Sequence, residues 1–176
     1  MTYKDELVKA MEFLGKQEKT IFLGQSVACT GNAIFKTLEL VPLSKRFEMP
    51  IFEDTQMGMS IGLNFEGFIP ISIFPRMDFL ITAMNQLENH LDKIKEMSHS
   101  EFNPKVIIRT AIGSVKPLYP GIQHCSDYTF ALKTILKNID VVKLTNSKEI
   151  FTEYKKAFES ERSTILIEDS DLYDTE

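Results

Sequence analysis

Within residues 5–17, apolar Leu7, Ala10, Met11 and Leu14 recur at helical spacing, which predicts an amphipathic helix. Residues 20–24 (TIFLG) form a short apolar run closed by glycine, the pattern of a buried strand opening into a loop. The stretch 30–40 is mixed: Gly31 and Asn32 read as a turn, followed by a short helix. Residues 50–52 (PIF) read as a brief extended segment that ends at Glu53 and Asp54. Residues 56–65 then carry Met57, Met59, Ile61, Leu63 and Phe65, with Gly58, Ser60 and Gly62 between them. A helix pays about 1 kcal/mol for each such glycine relative to alanine, so close backbone approach is expected there. Residues 68–74 (FIPISIF) predict a buried strand. Residues 78–97 predict a long helix, with Phe79, Ala83, Gln86, His90 and Ile94 along one stripe.

The last third alternates strand and helix. Residues 105–110 (KVIIRT), 140–144 (DVVKL) and 163–168 (STILIE) predict strands; residues 126–136 and 147–158 predict helices, the second with a serine cap. Between them, 111–123 is a loop punctuated by Gly113, Pro117, Pro120 and Gly121. Short β-branched strands alternating with helices predict the α/β class: a mostly parallel sheet with helices on both faces. In such sheets ligands bind at the carboxyl ends of strands, where the strand order reverses. That rule selects residues 24–30, 53–57, 74–79 and 111–125 as the segments to carry a site.

Composition narrows the function classes. The 176 residues, with no repeat or low-complexity segment, read as a single domain over 1–176, large enough for a substantial core. A net charge of −5 gives no bulk attraction for nucleic acid or an anionic membrane. The charged, amphipathic start has no apolar signal core and no run approaches a membrane span, so a cytoplasmic protein is expected. Cys29 and Cys125 are far apart without CxxC pairing, and small buried thiols are expected rather than a disulfide framework or zinc module. No GxxxxGK[ST] loop, GxGxxG turn or GxSxG elbow occurs. His90, His99 and His124 have no companion at metal-ligand spacing, so no metal site is expected on this chain.

Two residues stand out for chemistry. His124, in PGIQHC just before a helix, is placed for proton transfer or for meeting an anionic substrate, or else to cap the following helix. Glu53, beside Phe52, Met57 and Met59, is either a partly desolvated carboxylate that shares a proton with a ligand nitrogen or an exposed carboxylate at a helix start. Arg76 and Arg109 are candidates to meet a substrate charge, with solvated surface arginine as the alternative.

Taken in order, PIFE at 50–53, GMSIG at 58–62, GFIP at 67–70, FPRMDFLITAMNQ at 74–86, Gln123-His124, VVKL at 141–144 and ILIEDSDLY at 165–173 resemble one family. It is the pyrimidine-binding domain of thiamine-diphosphate enzymes, above all the beta subunit of the 2-oxo-acid dehydrogenase decarboxylase component and the central region of transketolase. The resemblance runs from about Ile21 to Tyr173. It implies that Glu53 hydrogen-bonds the aminopyrimidine ring nitrogen of thiamine diphosphate and so activates the cofactor. It implies that Phe79 packs on the pyrimidine, where the residue pattern alone reads a core phenylalanine. Pro75 falls beside the ring, where the family often has methionine, and His124 falls on a histidine that faces the substrate. Gln25 falls on a cofactor-side glutamate implicated in proton exchange between active sites, a role an amide cannot fill.

The family's GDG motif, which holds the diphosphate and Mg2+, does not occur here. The resemblance therefore implies one subunit of a split enzyme whose diphosphate-binding partner subunit supplies thiamine diphosphate's other half-site and the Mg2+. A dimer or heterotetramer acting on a small-molecule substrate is expected, by 2-oxo-acid decarboxylation or by ketol or acyl transfer. The alternative is a non-catalytic regulatory or interaction module of the same fold, and a fragment of a longer beta subunit is a third reading.

Overall fold

The computed structural model describes residues 1–30, 33–115 and 119–175. The turn expected at Gly31 and Asn32, and Pro117 of the long loop, lie outside the described residues. Six strands form one all-parallel sheet: β1 (Thr20–Gly24), β2 (Arg46–Glu48), β3 (Ile69–Phe74), β4 (Ile107–Ile112), β5 (Asp140–Lys143) and β6 (Thr164–Asp169). Their order is β2-β1-β3-β4-β6-β5. Strands β3, β4 and β6 are buried almost throughout, which is why their sequences are continuous apolar runs rather than alternations.

Successive side chains on these strands serve two separate cores. Ile71, Ile73, Ile107 and Leu166 pack with helices α1 (Tyr3–Gly15), α2 (Ala33–Thr37) and α7 (Ser147–Glu159). Phe74, Ile108, Ile165 and Ile167 pack on the other face with α3 (Glu53–Phe65), α4 (Met77–Leu80) and α6 (Thr129–Ile135). Each fully buried large apolar side chain contributes about 1.5–3 kcal/mol. Helix α7 is capped by Asn146, one residue before the expected Ser147, because Asn146 and Glu149 form a reciprocal capping box.

Residues 50–52 are not a strand; the short pairing that precedes α3 is instead Arg46–Glu48. The long helix expected over 78–97 is compound. After α4 come a 3-10 turn, Ile81–Ala83, a π-helical stretch, Asn85–Asp92, and the short α5 (Ile94–Met97). The wide turn shifts the helical phase, so Leu87, Leu91 and Asp92 are buried while His90, on one stripe with Ala83 in the expected helix, is exposed. Buried Asp92 accepts from Lys137 N at 3.0 Å and Asn138 N at 2.7 Å, anchoring the loop before β5. Among the described residues no helix is long and apolar enough to cross a membrane. Both cysteines are free; Cys29 is exposed and Cys125 half-buried, so neither is the buried thiol expected, since both lie in loops at the sheet's rim.

Candidate active site

Strand β1 has β2 on one side and β3 on the other, so the chain departs from it in both directions and leaves a crevice at the carboxyl ends. A cavity of about 520 Å3 opens there. It gathers Gln25 after β1, Glu53 at the head of α3, Pro75, Arg76 and Phe79 after β3, and Ser114 after β4. Four residues singled out in the sequence (Gln25, Glu53, Pro75 and Phe79) thus share one cavity wall. His124 joins them at one remove: its ring meets Phe79 edge-on, centroids 5.6 Å apart at 86°. It stands in a 3-10 turn, Ile122–His124, four residues before Tyr128, the residue that caps α6.

Gly24 makes the first wall possible. A Cβ built on it would fall 2.2 Å from the Ile73 carbonyl oxygen, so only glycine lets β1 end this close to β3. The chain then turns and presents Gln25, whose Nε2 donates to Pro50 O at 3.2 Å and to Gln56 Oε1 at 3.0 Å. Gln56 is fully buried, and its own Nε2 donates to Ser72 Oγ at 3.1 Å and Ile73 O at 3.0 Å. Those acceptors fix the Gln56 amide, which in turn requires a donor at position 25. Gln25 Oε1 is left buried without a hydrogen-bond partner among the described residues. The amide ties down the Pro50 carbonyl, and with it the segment that delivers Glu53.

Glu53 opens α3 rather than ending a strand, because the chain reaches the helix directly from Phe52. It is a helix-start carboxylate, half-buried in the cavity wall rather than exposed. Among the described residues no hydrogen bond or ion pair engages it. Arg109 does not line the cavity. It is fully buried on the α1/α7 face of the sheet, in a bidentate pair with Glu168, its Nη2 3.0 Å from Oε2. Tyr154 and Tyr173 donate to the same carboxylate at 2.6 and 2.5 Å. Burial opposes the charge on Arg109, but the Glu168 carboxylate prevails and holds its pKa above the ordinary value.

Tyr173 and Ser170, after β6, also line the cavity, and the sequence reading missed them. The strand-end rule applied to the sixth strand, as to the others, points to them. The Tyr173 hydroxyl is committed to Glu168, so what faces the cavity is bounded by its ring.

The loop behind Gln25 is held by one carboxylate. Glu48 accepts from the N–H groups of Ser26 at 2.5 Å, Val27 at 2.9 Å, Ala28 at 2.8 Å and Cys29 at 3.1 Å. Partial burial alone would raise its pKa; the four donors outweigh that and hold it below the usual carboxylate range. Because the folded value is depressed, this contribution is present above about pH 4.3 and is lost as pH falls through the folded pKa. A Glu48→Gln variant is expected to lose about 1 kcal/mol at pH 7 in urea unfolding, given its exposure. The difference from the parent should close as pH falls through the depressed folded pKa; a gap that persists once the carboxyl is protonated in both states would assign the effect to packing instead.

No protein-family model matches the chain. It is similar to the pyruvate dehydrogenase E1 component subunit beta of Cyanidium caldarium, 32% identical over 110 residues, 61% of this chain and 34% of that one. A mitochondrial pyruvate dehydrogenase E1 component subunit beta from Caenorhabditis elegans is 27% identical over 177 residues, 98% of this chain and 49% of that one. Both of these relatives are E1 beta subunits of pyruvate dehydrogenase. The fold also superposes on a split-gene transketolase solved as an inactive beta4 tetramer, with TM-score 0.73 at 21% identity, covering 96% of this chain and 51% of that one. The all-parallel sheet with helices is thus a transketolase-like, thiamine-diphosphate-enzyme fold of the pyrimidine-domain kind. The chain spans about a third of the first of these relatives and about half of the others.

Proposed function

We propose that this beta-subunit homologue is one half of a thiamine-diphosphate enzyme and that its cavity receives the cofactor's aminopyrimidine ring. The observation that carries the reading is a half-buried carboxylate, Glu53, unpaired among the described residues and lining the same 520 Å3 cavity as Phe79. A volume of that order suits a small-molecule site, for which about 300–1,000 Å3 is usual. An unengaged acceptor beside an aromatic ring fits a flat heterocycle that brings its own N–H or protonated nitrogen.

In this reading Glu53, at the start of α3, shares a proton with the ring nitrogen. Phe79 packs on the ring face, Pro75 bounds it, and Gln25 keeps the Glu53 segment in place. His124 faces the substrate side. The bound cofactor supplies the carbanion chemistry for decarboxylating a 2-oxo acid or transferring a ketol or acyl unit. A partner subunit holds the diphosphate and Mg2+; among the described residues no group of three or more His, Cys, Asp or Glu could hold a metal ion.

The outer face of α3 suits that partner. A Cβ built on Gly62 would meet nothing within 4 Å and one on Gly58 only the Gln86 side chain at 3.6 Å, so among the described residues the close approach that these glycines permit is not made. Beside them Ile51 is 79%, Phe52 64% and Met59 46% exposed. The test is calorimetry of the assembled subunits with Mg2+. Saturable uptake of thiamine diphosphate is expected, weakened at least tenfold in a Phe79→Ala assembly. An assembly that takes up none overturns the reading.

A further inference from the structure

Of the described residues that form the cavity wall, Arg76 is the one cationic side chain. Its Nη1 donates to two backbone carbonyls at once, Gly113 O at 2.8 Å and His124 O at 2.8 Å. One nitrogen therefore bridges the loop that follows β4 and the turn that carries His124. The next two residues moor the same segment further on, through Asp78 Oδ2 to Ser126 N at 3.4 Å and Met77 Sδ to Tyr128 N at 2.9 Å. Releasing Arg76 would thus free the His124 backbone without detaching the segment. The His124 ring stands edge-on against Phe79, and its Nδ1 is buried with no hydrogen-bond partner among the described residues. A ring held only by that edge-on contact takes the rest of its position from the backbone that bears it.

A guanidinium has five donors in a rigid fork, and these contacts use only those on one nitrogen. Being half-buried and already fixed, it has little rotamer freedom left to lose when an anion arrives. We propose that Arg76 is the positioning and specificity residue of this cavity: it holds His124 against Phe79 through the backbone and offers its remaining N–H groups to an anionic oxygen group, carboxylate or phosphate, of the substrate. The proposal rests on reading the cavity as the reaction site, and it assigns the substrate its charge.

The test uses the full chain, with Arg76→Ala and Arg76→Lys, and two NMR readouts that need neither cofactor nor partner. The first is the His124 imidazole signals; the second is the response of cavity amides to pyruvate and, separately, to inorganic phosphate. In Arg76→Ala the His124 signals should move and the anion response should weaken at least tenfold, with millimolar guanidinium restoring both. Arg76→Lys should keep much of the anion response yet still move the His124 signals, since an ammonium cannot reproduce the rigid guanidinium fork that bridges both carbonyls. Which anion the parent chain prefers separates a carboxylate substrate from a phosphorylated one. Unmoved His124 signals in folded Arg76→Ala overturn the positioning role. Parent amides that ignore both anions, or an equal response in the variant, overturn the specificity role. Failure of thiamine diphosphate uptake alters neither readout, so the two readings fail separately.

Discussion

A Glu53→Gln assembly is expected to lose about 10²–10⁴-fold in thiamine-diphosphate-dependent turnover, the usual worth of a positioned acid or base, while its unfolding curve barely moves. The contrast follows from the same observation. Among the described residues nothing inside the chain engages the Glu53 side chain, so folding has little to lose when it becomes an amide. What folding does lose is a favourable helix-start charge, about 0.3–1 kcal/mol at a surface site. A glutamine keeps the shape and can accept a hydrogen bond, but it cannot exchange a proton with a ring nitrogen. Turnover and urea unfolding should therefore separate cleanly. Activity within a few-fold of the parent would sink the role given to Glu53, and a large loss of stability would recast the residue as structural.

The opposite signature is expected under the sheet. Arg109→Met leaves the buried Glu168 carboxylate with two tyrosine donors and no cation, and Glu168→Gln leaves a buried guanidinium without an anion. Each should cost about 3–5 kcal/mol in urea unfolding, because the surviving charge stays desolvated. The double variant Arg109→Met/Glu168→Gln removes both charges, and should be less destabilised than the two losses added together, by about 2 kcal/mol or more. Additive losses would mean that the pair is not coupled. If a single variant fails to fold, the double variant still reports, since it carries no orphaned charge. The same cluster sets an alkaline limit. Burial, and then the Glu168 charge, push Tyr3, Tyr154 and Tyr173 upward, so the folded chain keeps protons that the unfolded chain releases near pH 10. That stabilisation is complete below about pH 10 and should drain away as pH rises beyond it.

Much of this arrangement was legible in the residues. β1 falls on its predicted bounds, and the other predicted strands within about two residues, because a strand buried on both faces must be a continuous apolar run. The cavity followed from the strand-end rule, which brought Gln25, Glu53, Pro75 and Phe79 to one wall. Arg109 was misread as a residue that could meet substrate. In β4 and β6, Arg109 pairs with Leu166 and Ala111 with Glu168, so the two charges sit two residues apart on the same face of adjacent strands. Only the strand order, which no local pattern encodes, makes them partners. Glu48 was overlooked for the same reason: its four donors come from the loop beyond β1, adjacent only because β2 pairs alongside it.

The wide turn between Ala83 and Ile94 bears on how this protein should be compared with its relatives. A π-helical stretch is most simply read as an α-helix carrying an inserted residue, and one residue of α-helix is worth about 100° of rotation. Phe79 lies on the cavity side of that stretch and Asp92 on its far end, each locked to different neighbours. The spacing between them is thus a matter of length as well as composition. An alignment that slides through this segment without a gap can match every apolar residue after it and still assign the cavity-lining position of Phe79 to the wrong side chain.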